Sequence, residues 1–593
     1  MQAPSLASAA EPRVSADIAP LSATRTHLPQ RPLWREALGA LLWRGFYPLL
    51  FRFRQSWLYR LGYSGPVPDR ILFQPDDPRP RRLDDADVFM RGRFRLAGQV
   101  FEIRSGSIFD VNLPSREFAA ALHGFDWLRH VEVANSDHAR LFALKLTQQW
   151  LKRHGKLHRF SWQPEIVAER FLNIFAHSRF FLINSDLVWR SRFFVSLRNQ
   201  ACMLARTIHE TPDGLPRLKA AAALTLAGLC LGDSRNIVLG AKRLAGEIER
   251  QILPDGGHVS RSPQALAEAH RVLLMVRQTL DLARRRAPPA LLDALERTAP
   301  MLRFFRMGDG RLASFNGGGE SDSRLLNTML EQDETKARPE VHTLYSGYQR
   351  LAGGRVTILF DVGAAPLSAF SAGAHAGCLA FELCSGAQRI VVNCGTAPLA
   401  DHKWDVLLRS TAAHSTLTVK DTSSAFVLMK GRFADLLGPR LIVGPASIET
   451  RRSDSAQGQY AVAQHDGYRN KFGIFHQRRL ILSPRGAGLT GTDRLFPERP
   501  ARIRKIGAAA VPFAIRFHIH PDVRLSLSRG AESVLLKLPN GEGWRFRAAG
   551  TISIEESVYF GGGHYRRAEQ LVVSGMVADL PVECAWAFEQ VGN

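Results

Sequence analysis

The sequence predicts a chain of two parts, an all-α part followed by an antiparallel all-β part. Two observations predict it: apolar residues recur with a helical period from about residue 110 to 310, and the period changes to two after about residue 340. Turn-forming residues near 339–348 separate the two patterns. This order indicates a layer of helices, such as a bundle, solenoid or toroid, followed by a β-sandwich or related antiparallel structure.

The helical pattern is clearest in a segment that follows Pro164, a residue that suits the first turn of a helix. Its apolar positions fall on one helical face: Ile166, Val167, Phe171, Ile174 and Phe175. Further helices are predicted over 218–229, 237–252, 266–282 and 291–305. Short links between them favour helices that pack on one another.

Short apolar or alternating runs in the second part predict strands, among them Val356–Phe360, Leu480–Leu482 and Ile515–Ile519. Asn540 and Gly541 separate two such runs and predict a hairpin with a type I′ turn. The predicted domains are a flexible tail at 1–32, a helical domain at 33–340 and a β-sandwich domain at 341–593.

The chain has 593 residues and carries 78 Lys and Arg against 55 Asp and Glu, a formal charge of +23. Such a charge fits a nucleic acid, an anionic membrane surface or an acidic polysaccharide, or has no specific cause. Six cysteines without a CxxC pair do not suggest a disulfide scaffold or zinc ribbon. No secretory signal or transmembrane segment is recognisable; residues 34–61 mix aromatic residues with arginines, which suits packing on the protein or on a membrane surface.

Three features are candidates for chemistry. His258 follows two glycines in the loop 252–258 and either caps a helix or faces a cleft. Asn173 lies beside the apolar face of its helix, where a buried amide needs a hydrogen-bond partner or a cavity. His375, Asn393 and His414 adjoin neighbouring predicted strands and are candidate zinc ligands.

Five segments together resemble the heparinase II/III family, in the order that the family has them. Residues 251–263 (QILPDGGHVSRSP) are similar to its DGGH-x-x-RSP signature, and 169–173 (ERFLN) to its ERLxN helix. Residues 374–383, 390–395 and 410–416 resemble its HGHAD-x-LSFEL, VNPG and STAAHNT segments.

The resemblance implies an N-terminal (α/α) toroid, a C-terminal antiparallel β-sandwich, and a lyase that cleaves uronic-acid polysaccharides by β-elimination. In that reaction a base removes the C5 proton while another group neutralises the carboxylate. The resemblance gives the neutralising role to Asn173, and it makes His375 and His414 ligands of a structural zinc, with the neutral Asn393 at a position that is acidic in some members. It also implies a cell-envelope or periplasmic location, with the cytoplasm as the alternative.

The sequence departs from the family where proton transfer is expected. Ala265 stands where the family has a Tyr, Leu215-Pro216 where it has Asn-His, and Gly373 and Gly377 where it has His and Asp. His258 is the first substitute for the missing acid or base, with Tyr345, Tyr348 and His402 as further candidates. Arg261, Tyr348, His402 and Arg409 are the predicted substrate-binding residues, and Arg409 would meet a carboxylate.

The sequence therefore leaves several functions open. The first is a polysaccharide lyase with atypical catalytic residues, Asn173 and His258. The alternative is a non-catalytic relative that binds an acidic glycan in envelope polysaccharide metabolism. A hydrolase would need a carboxylate pair, such as Asp255 with another acid. Nucleic-acid binding is not expected, because no recognition motif accompanies the charge.

Overall fold

A computed structural model describes residues 33–63, 67–103, 105–183, 185–333, 336–397, 402–497, 510–528, 530, 532–562 and 564–591. The tail predicted at 1–32 lies outside these residues. Within them, helices dominate the chain up to Glu331, and strands dominate it from His342 onwards. The predicted order of an α part and then a β part is confirmed.

The first part consists of helices with one small hairpin. Its helices are α1 (Leu33–Gln55), α2 (Trp57–Leu61), α3 (Leu83–Met90), α4 (Arg116–His123), α5 (Leu128–Val133), α6 (Asp137–His154), α7 (Pro164–His177), α8 (Arg179–Leu182), α9 (Leu187–Thr207), α10 (Leu215–Leu231), α11 (Ser234–Gln251), α12 (Pro263–Leu282), α13 (Pro289–Phe305) and α14 (Ser323–Glu331). The hairpin pairs β1 (Arg93–Leu96) with β2 (Gln99–Glu102). Short 3₁₀ turns occupy Ile108–Asp110 and Ile208–Glu210.

The central helices are buried on nearly every side, as the helices of an inner layer must be. Helix α7 begins at Pro164 as predicted, and all five apolar residues of its predicted face are buried. Helix α10 is apolar all round, and α11 packs closely against it. A side chain at Gly228 or Gly240 would overlap the backbone of the facing helix, so these glycines permit the close contact.

The second part contains most of the strands. They are β3 (His342–Thr343), β4 (Tyr348–Gly353), β5 (Val356–Asp361), β6 (Phe381–Ser385), β7 (Gln388–Val392), β8 (Leu417–Val419), β9 (Phe426–Leu428), β10 (Arg440–Val443), β11 (Ile448–Ser455), β12 (Gly458–Tyr468), β13 (Ile474–Leu482), β14 (Gly488–Pro497), β15 (Val511–Ile519), β16 (Arg524–Leu527), β17 (Val534–Lys537), β18 (Gly543–Ala548), β19 (Thr551–Gly561), β20 (His564–Val577) and β21 (Val582–Val591). Between them lie α15 (His402–Leu408), α16 (Arg432–Leu437), α17 (Arg469–Phe472) and the 3₁₀ turns Ser368–Phe370 and Thr411–Ala413.

Two large antiparallel sheets form the sandwich. One has the strand order β11-β12-β13-β14-β21-β18-β17-β16, and the other β19-β20-β15-β7-β6-β5-β4-β3, with β8 also paired to β15. Alternate residues of facing strands, such as Phe381, Phe517 and Trp586, interleave to form the core between the sheets.

The helical core continues into the second sheet. Tyr348, Leu359 and Cys384 belong to the same apolar cluster as the residues of α7, α10 and α12. The helices therefore pack on the outer face of one sheet.

The predicted hairpin at Asn540-Gly541 is present, but its turn type differs from the prediction. Strands β17 and β18 pair in antiparallel register across it. The N–H of Gly541 donates to the carbonyl of Leu538, and only Gly541 has positive φ, at 88°. Pro539 holds the first central position of a type I turn, and Gly541 forms the bulge that follows it.

Candidate functional site

Asn173, the predicted carboxylate neutraliser, lies in the middle of α7 and is 1 % exposed. Its Nδ2 donates to the carbonyls of Gly124 at 2.8 Å and Glu169 at 3.0 Å. Its Oδ1 accepts a hydrogen bond from Nη2 of Arg79 at 2.6 Å. Both polar atoms of the amide are therefore bonded to other groups of the protein.

Arg79 belongs to the segment 74–82, which lies in the connection between α2 and α3. Its guanidinium also contacts Asp77 and Asp126, at 2.6 and 3.1 Å. Asp77 is itself buried, and it meets Nε2 of His177 at 3.1 Å and Nη1 of Arg271 at 3.4 Å. Burial alone would raise the pKa of the Asp77 carboxyl, but the guanidiniums of Arg79 and Arg271 hold this pKa well below its ordinary value.

A cavity of about 350 Å³ lies beside Asn173, and we call it the α7 cleft. Its charged lining consists of Asp126, Glu165, Glu169 and Lys219. Nζ of Lys219 lies 2.8 Å from Oε1 of Glu169, so its charge is already paired. Asp126 is likewise paired, with Arg79 and Arg129, so the described lining residues offer a polyanion no unpaired positive charge.

Leu215 and Pro216 line the same cleft. They stand where the resemblance expects an Asn-His pair, and neither side chain can transfer a proton. The described residues that line the α7 cleft therefore lack a histidine or tyrosine.

His258 does not line the α7 cleft. It is 3 % exposed; its Nδ1 lies 2.7 Å from Oγ of Ser260, and its Nε2 lies 3.1 Å from Oε1 of Gln251. Burial lowers the pKa of His258 to about 4, so the imidazole is neutral at pH 7. The structure does not bring Asn173 and His258 to one cavity.

The loop that contains His258 docks on the start of the β part. Asp255 accepts hydrogen bonds from the backbone N–H groups of Tyr345 and Ser346, at 2.9 and 2.6 Å. Gly256 has φ of 83°, and a side chain at Gly257 would overlap the hydroxyl of Ser346. The two glycines therefore permit contact between the two parts of the chain rather than close approach of a ligand.

Arg261 and Tyr348, both predicted to bind substrate, belong to the same contact. Arg261 is buried and forms an ion pair with Asp361, while its Nε donates to the carbonyl of Ser346 at 2.8 Å. The hydroxyl of Tyr348, which is fully buried, donates to the carbonyl of Arg261 at 2.7 Å. Both side chains thus hold the helical and β parts together.

The remaining predicted substrate-binding residues lie in the β part. Nε of Arg409 lies 2.9 Å from Oδ1 of Asp405, and its Nη1 donates to the carbonyl of Ala372 at 2.5 Å. The side chain of His402 lies outside the described residues. Tyr345, a further candidate for proton transfer, is 43 % exposed at the junction of the two parts.

The structure brings together two of the three predicted zinc ligands. Nδ1 of His375 lies 3.1 Å from Nε2 of His414, and Nδ1 of His414 donates to the carbonyl of Ser410. Oδ1 of Asn393 instead accepts from the N–H of Ser415 at 3.1 Å. The described residues contain no group of three or more His, Cys, Asp or Glu placed to hold a metal, so the fit to zinc is incomplete and its presence stays a prediction.

The site residues predicted from the sequence do not include Arg79, which bonds to Asn173, or the residues linked to it through Asp77: Asp77 itself, His177 and Arg271. His177 carries one usable signal, because it lies four residues after Asn173 and so shares its helical face. Asp77 and Arg79 lie in a charged, proline-rich connecting segment that is typical of exposed chain, and nothing local indicates their burial.

The fold is that of the polysaccharide lyases. A ring of helices is followed by a sandwich of two antiparallel sheets, and an Asn lies beside a cleft in the helical part. Heparinase III matches 96 % of this chain and 93 % of its own, with a TM-score of 0.67 and 14 % identity. A mutant of the heparan sulfate lyase HepC from Pedobacter heparinus matches 94 % of this chain and 89 % of its own, with a TM-score of 0.57 and 15 % identity. The architecture is therefore an (α/α) toroid followed by a β-sandwich.

The chain belongs to the heparinase II/III-like family. The family model described as "Heparinase II/III-like, C-terminal" matches residues 335–587. FtsZ-localized protein C of Caulobacter vibrioides (strain NA1000 / CB15N) is 33 % identical to it over 532 residues, which cover 88 % of this chain and 90 % of that protein. Among the described helices, none combines the length and the apolar character needed to cross a membrane.

Proposed function

We propose that the protein is a non-catalytic relative of the polysaccharide lyases that works together with FtsZ at the membrane surface. The observation that carries the proposal is the bonding of the Asn173 amide. An amide neutralises a uronic carboxylate by donating its N–H groups to it, and here Nδ2 donates to the carbonyls of Gly124 and Glu169, while Arg79 holds the amide oxygen.

The contents of the α7 cleft support the same conclusion. Three carboxylates line it, and its lining residues supply no histidine or tyrosine for proton transfer. Loss of one general acid or base typically costs about 10²–10⁴-fold in rate. The lyase hypothesis, with Asn173 and His258 as catalytic residues, and the binding of an acidic glycan in this cleft are both less well supported than a non-enzymatic role.

The link to FtsZ comes from the relative that is named for it. FtsZ-localized protein C shares 33 % of its residues with this chain across nearly its whole length, whereas the two lyases share 14–15 %. A partner that is FtsZ would place this chain on the cytoplasmic face of the membrane, rather than in the periplasm.

Helix α1 supplies the surface that would meet the membrane. Seven large apolar side chains fall within about 140° of its circumference, and each is 50–66 % exposed: Trp34, Leu38, Leu41, Leu42, Phe46, Leu49 and Phe53. Arg35 and Arg52 lie within the same sector, and the helix has a single acidic residue, Glu36. An apolar stripe with arginines matches the interface of an anionic bilayer.

Both ends of α1 are fixed to the protein body. Arg54 forms an ion pair with Glu210, and Glu36 contacts Arg440 at 2.6 Å. Since these contacts use the opposite side of the helix, the apolar stripe stays exposed while the helix keeps its orientation.

Two assays test the non-catalytic role and the link to FtsZ. Incubation with a panel of uronic-acid polysaccharides should give no ultraviolet absorbance from unsaturated uronyl ends. An absorbance increase that Asn173→Ala abolishes would establish a lyase instead. The protein should sediment with FtsZ assembled by GTP and stay in the supernatant with unassembled FtsZ; equal amounts in both supernatants would refute the FtsZ link.

Flotation with lipid vesicles tests the role of α1. We expect the protein to float with vesicles that contain about 30 % phosphatidylglycerol. Leu42→Glu/Leu49→Glu should abolish flotation, whereas the matched variant Val238→Glu/Leu282→Glu, which changes exposed apolar residues of α11 and α12, should keep it. Equal flotation of both variants would reject α1 as the contact.

A further inference from the structure

A second cavity, of about 640 Å³, opens next to the α7 cleft, and residues of α4 line both cavities. It lies between the loop that follows the 3₁₀ turn Ile108–Asp110 and the loop that joins α6 to α7. Its volume falls in the range of small-molecule sites. We call it the histidine cavity, because His123, His154 and His158 all line it.

Two of these imidazoles have their proton position fixed by neighbouring donors. Nδ1 of His123 accepts a hydrogen bond from the indole N–H of Trp150 at 3.1 Å. Nδ1 of His158 accepts from the backbone N–H groups of Phe160 and Ser161, both at 3.3 Å. In a neutral imidazole the proton is then on Nε2, so each of the two side chains has an Nε2–H left to donate.

His154 lies between the other two, with ring centres 4.5 Å from that of His123 and 4.6 Å from that of His158. Its side chain is 5 % exposed, and its Nε2 has no hydrogen-bond partner among the described residues. A buried polar atom without a partner destabilises the folded protein, and a ligand that bonds to it removes this penalty.

The charges at the histidine cavity are positive. Arg116 and Arg159 line it, and its described lining residues include no carboxylate. Lys152, Arg153 and Lys156 lie at the end of α6 or just after it, and Asp110, which follows the lining residue Phe109, pairs with Arg153 at 3.1 Å. Guanidinium groups and N–H donors together are the usual partners of phosphate oxygens.

The side chains of Phe109 and Phe160 also line the cavity. They offer apolar ring surface beside the donors, so the cavity has room and contacts for more than an inorganic anion. Flat rings of ligands stack on such side chains in many binding sites.

We propose that the histidine cavity binds a phosphate-bearing ligand with a flat ring, of the class of nucleoside diphosphates. The phosphates contact Arg116, Arg159 and the two Nε2–H donors, and the ring lies against the phenylalanines. A metal ion is not the proposed occupant, since Nε2 of His123 and of His158 carry protons rather than free electron pairs, which leaves His154 alone of the three histidines to bind it. This site is separate from the α7 cleft and does not depend on the function proposed above.

Isothermal titration of the full chain with uridine diphosphate in 150 mM NaCl tests the proposal. We expect saturable binding that Arg116→Gln/Arg159→Gln weakens at least tenfold. The double variant Arg285→Gln/Arg286→Gln removes the same charge from exposed residues after α12, outside both cavities, and should change the Kd less than twofold. Unchanged unfolding temperatures of both variants would exclude a folding defect.

Further ligands test which parts of the nucleotide the cavity recognises. Inorganic pyrophosphate should bind more weakly than uridine diphosphate, and uridine should not bind. A glucuronate oligosaccharide that binds at least as tightly as uridine diphosphate would overturn the proposal in favour of an acidic glycan. Equal weakening by the two arginine pairs, or no heat with any phosphate ligand, would also overturn it.

Discussion

The carboxylate of Asp255 accepts hydrogen bonds from both the backbone N–H and the hydroxyl of Ser346, at 2.6 and 2.7 Å. Asp255 follows α11 in the helical part, and Ser346 precedes β4 in the β part. Together with the ion pair between Arg261 and Asp361, these bonds join the two parts. The segment that resembles a catalytic signature thus has a structural role in this chain.

Asp255→Ala should lower the free energy of unfolding by about 1–3 kcal/mol, because it leaves the N–H groups of Tyr345 and Ser346 without this acceptor. Urea denaturation measures the change. Asp281→Ala, which removes an exposed carboxylate at the end of α12, should stay within about 0.5 kcal/mol of the parent protein. Equal effects of the two substitutions would contradict the role of Asp255.

Asp77→Asn should lower stability at pH 7 by about 1–3 kcal/mol, because the buried guanidiniums of Arg79 and Arg271 lose the charge of Asp77 and keep Asp126 and Glu268, respectively. The pKa of Asp77 is lower in the folded than in the unfolded chain, so its contribution is present above the ordinary carboxyl pKa and is lost as the pH falls further. Stability measured from pH 7 to 2 should therefore decline less steeply in the variant. If the stability of the variant and of the parent protein fell in parallel with pH, Asp77 would not be the group whose protonation destabilises the fold.

The order of the two parts could be predicted because apolar periodicity is a local property, as the buried face of α7 illustrates. The surroundings of Asn173 could not, since its partner Arg79 lies 94 residues earlier in the sequence. The glycines after Asp255 predicted a tight corner, but the sequence does not reveal that Ser346, rather than a ligand, lies against Gly257. Contacts between distant segments decide what such residues do.

Zinc analysis tests the pair formed by His375 and His414. Because Oδ1 of Asn393 accepts from Ser415, we expect well below one zinc per chain in protein purified without chelator. EDTA should leave the unfolding temperature unchanged, and His414→Ala should lower it equally with and without EDTA. One zinc per chain that His414→Ala removes would instead establish the site predicted by the resemblance.

His258→Gln should make the stability less dependent on pH between 6.5 and 4. Burial lowers the pKa of His258 to about 4 in the folded protein, whereas the unfolded side chain titrates near its ordinary value of 6.5. Between these two pKa values His258 binds a proton in the unfolded chain but not in the folded one, so acid destabilises the folded state by up to about 1.4 kcal/mol per pH unit. The contribution of His258 is therefore complete above pH 6.5 and is lost as the pH falls towards 4.

Urea denaturation at pH 7, 6 and 5 should show a smaller loss in His258→Gln than in the parent, and His138→Gln, at an exposed position of α6, should keep the slope of the parent. A His258→Gln curve that stays parallel to the parent curve would mean that His258 is accessible to protons in the folded protein, as a proton-transfer role would require.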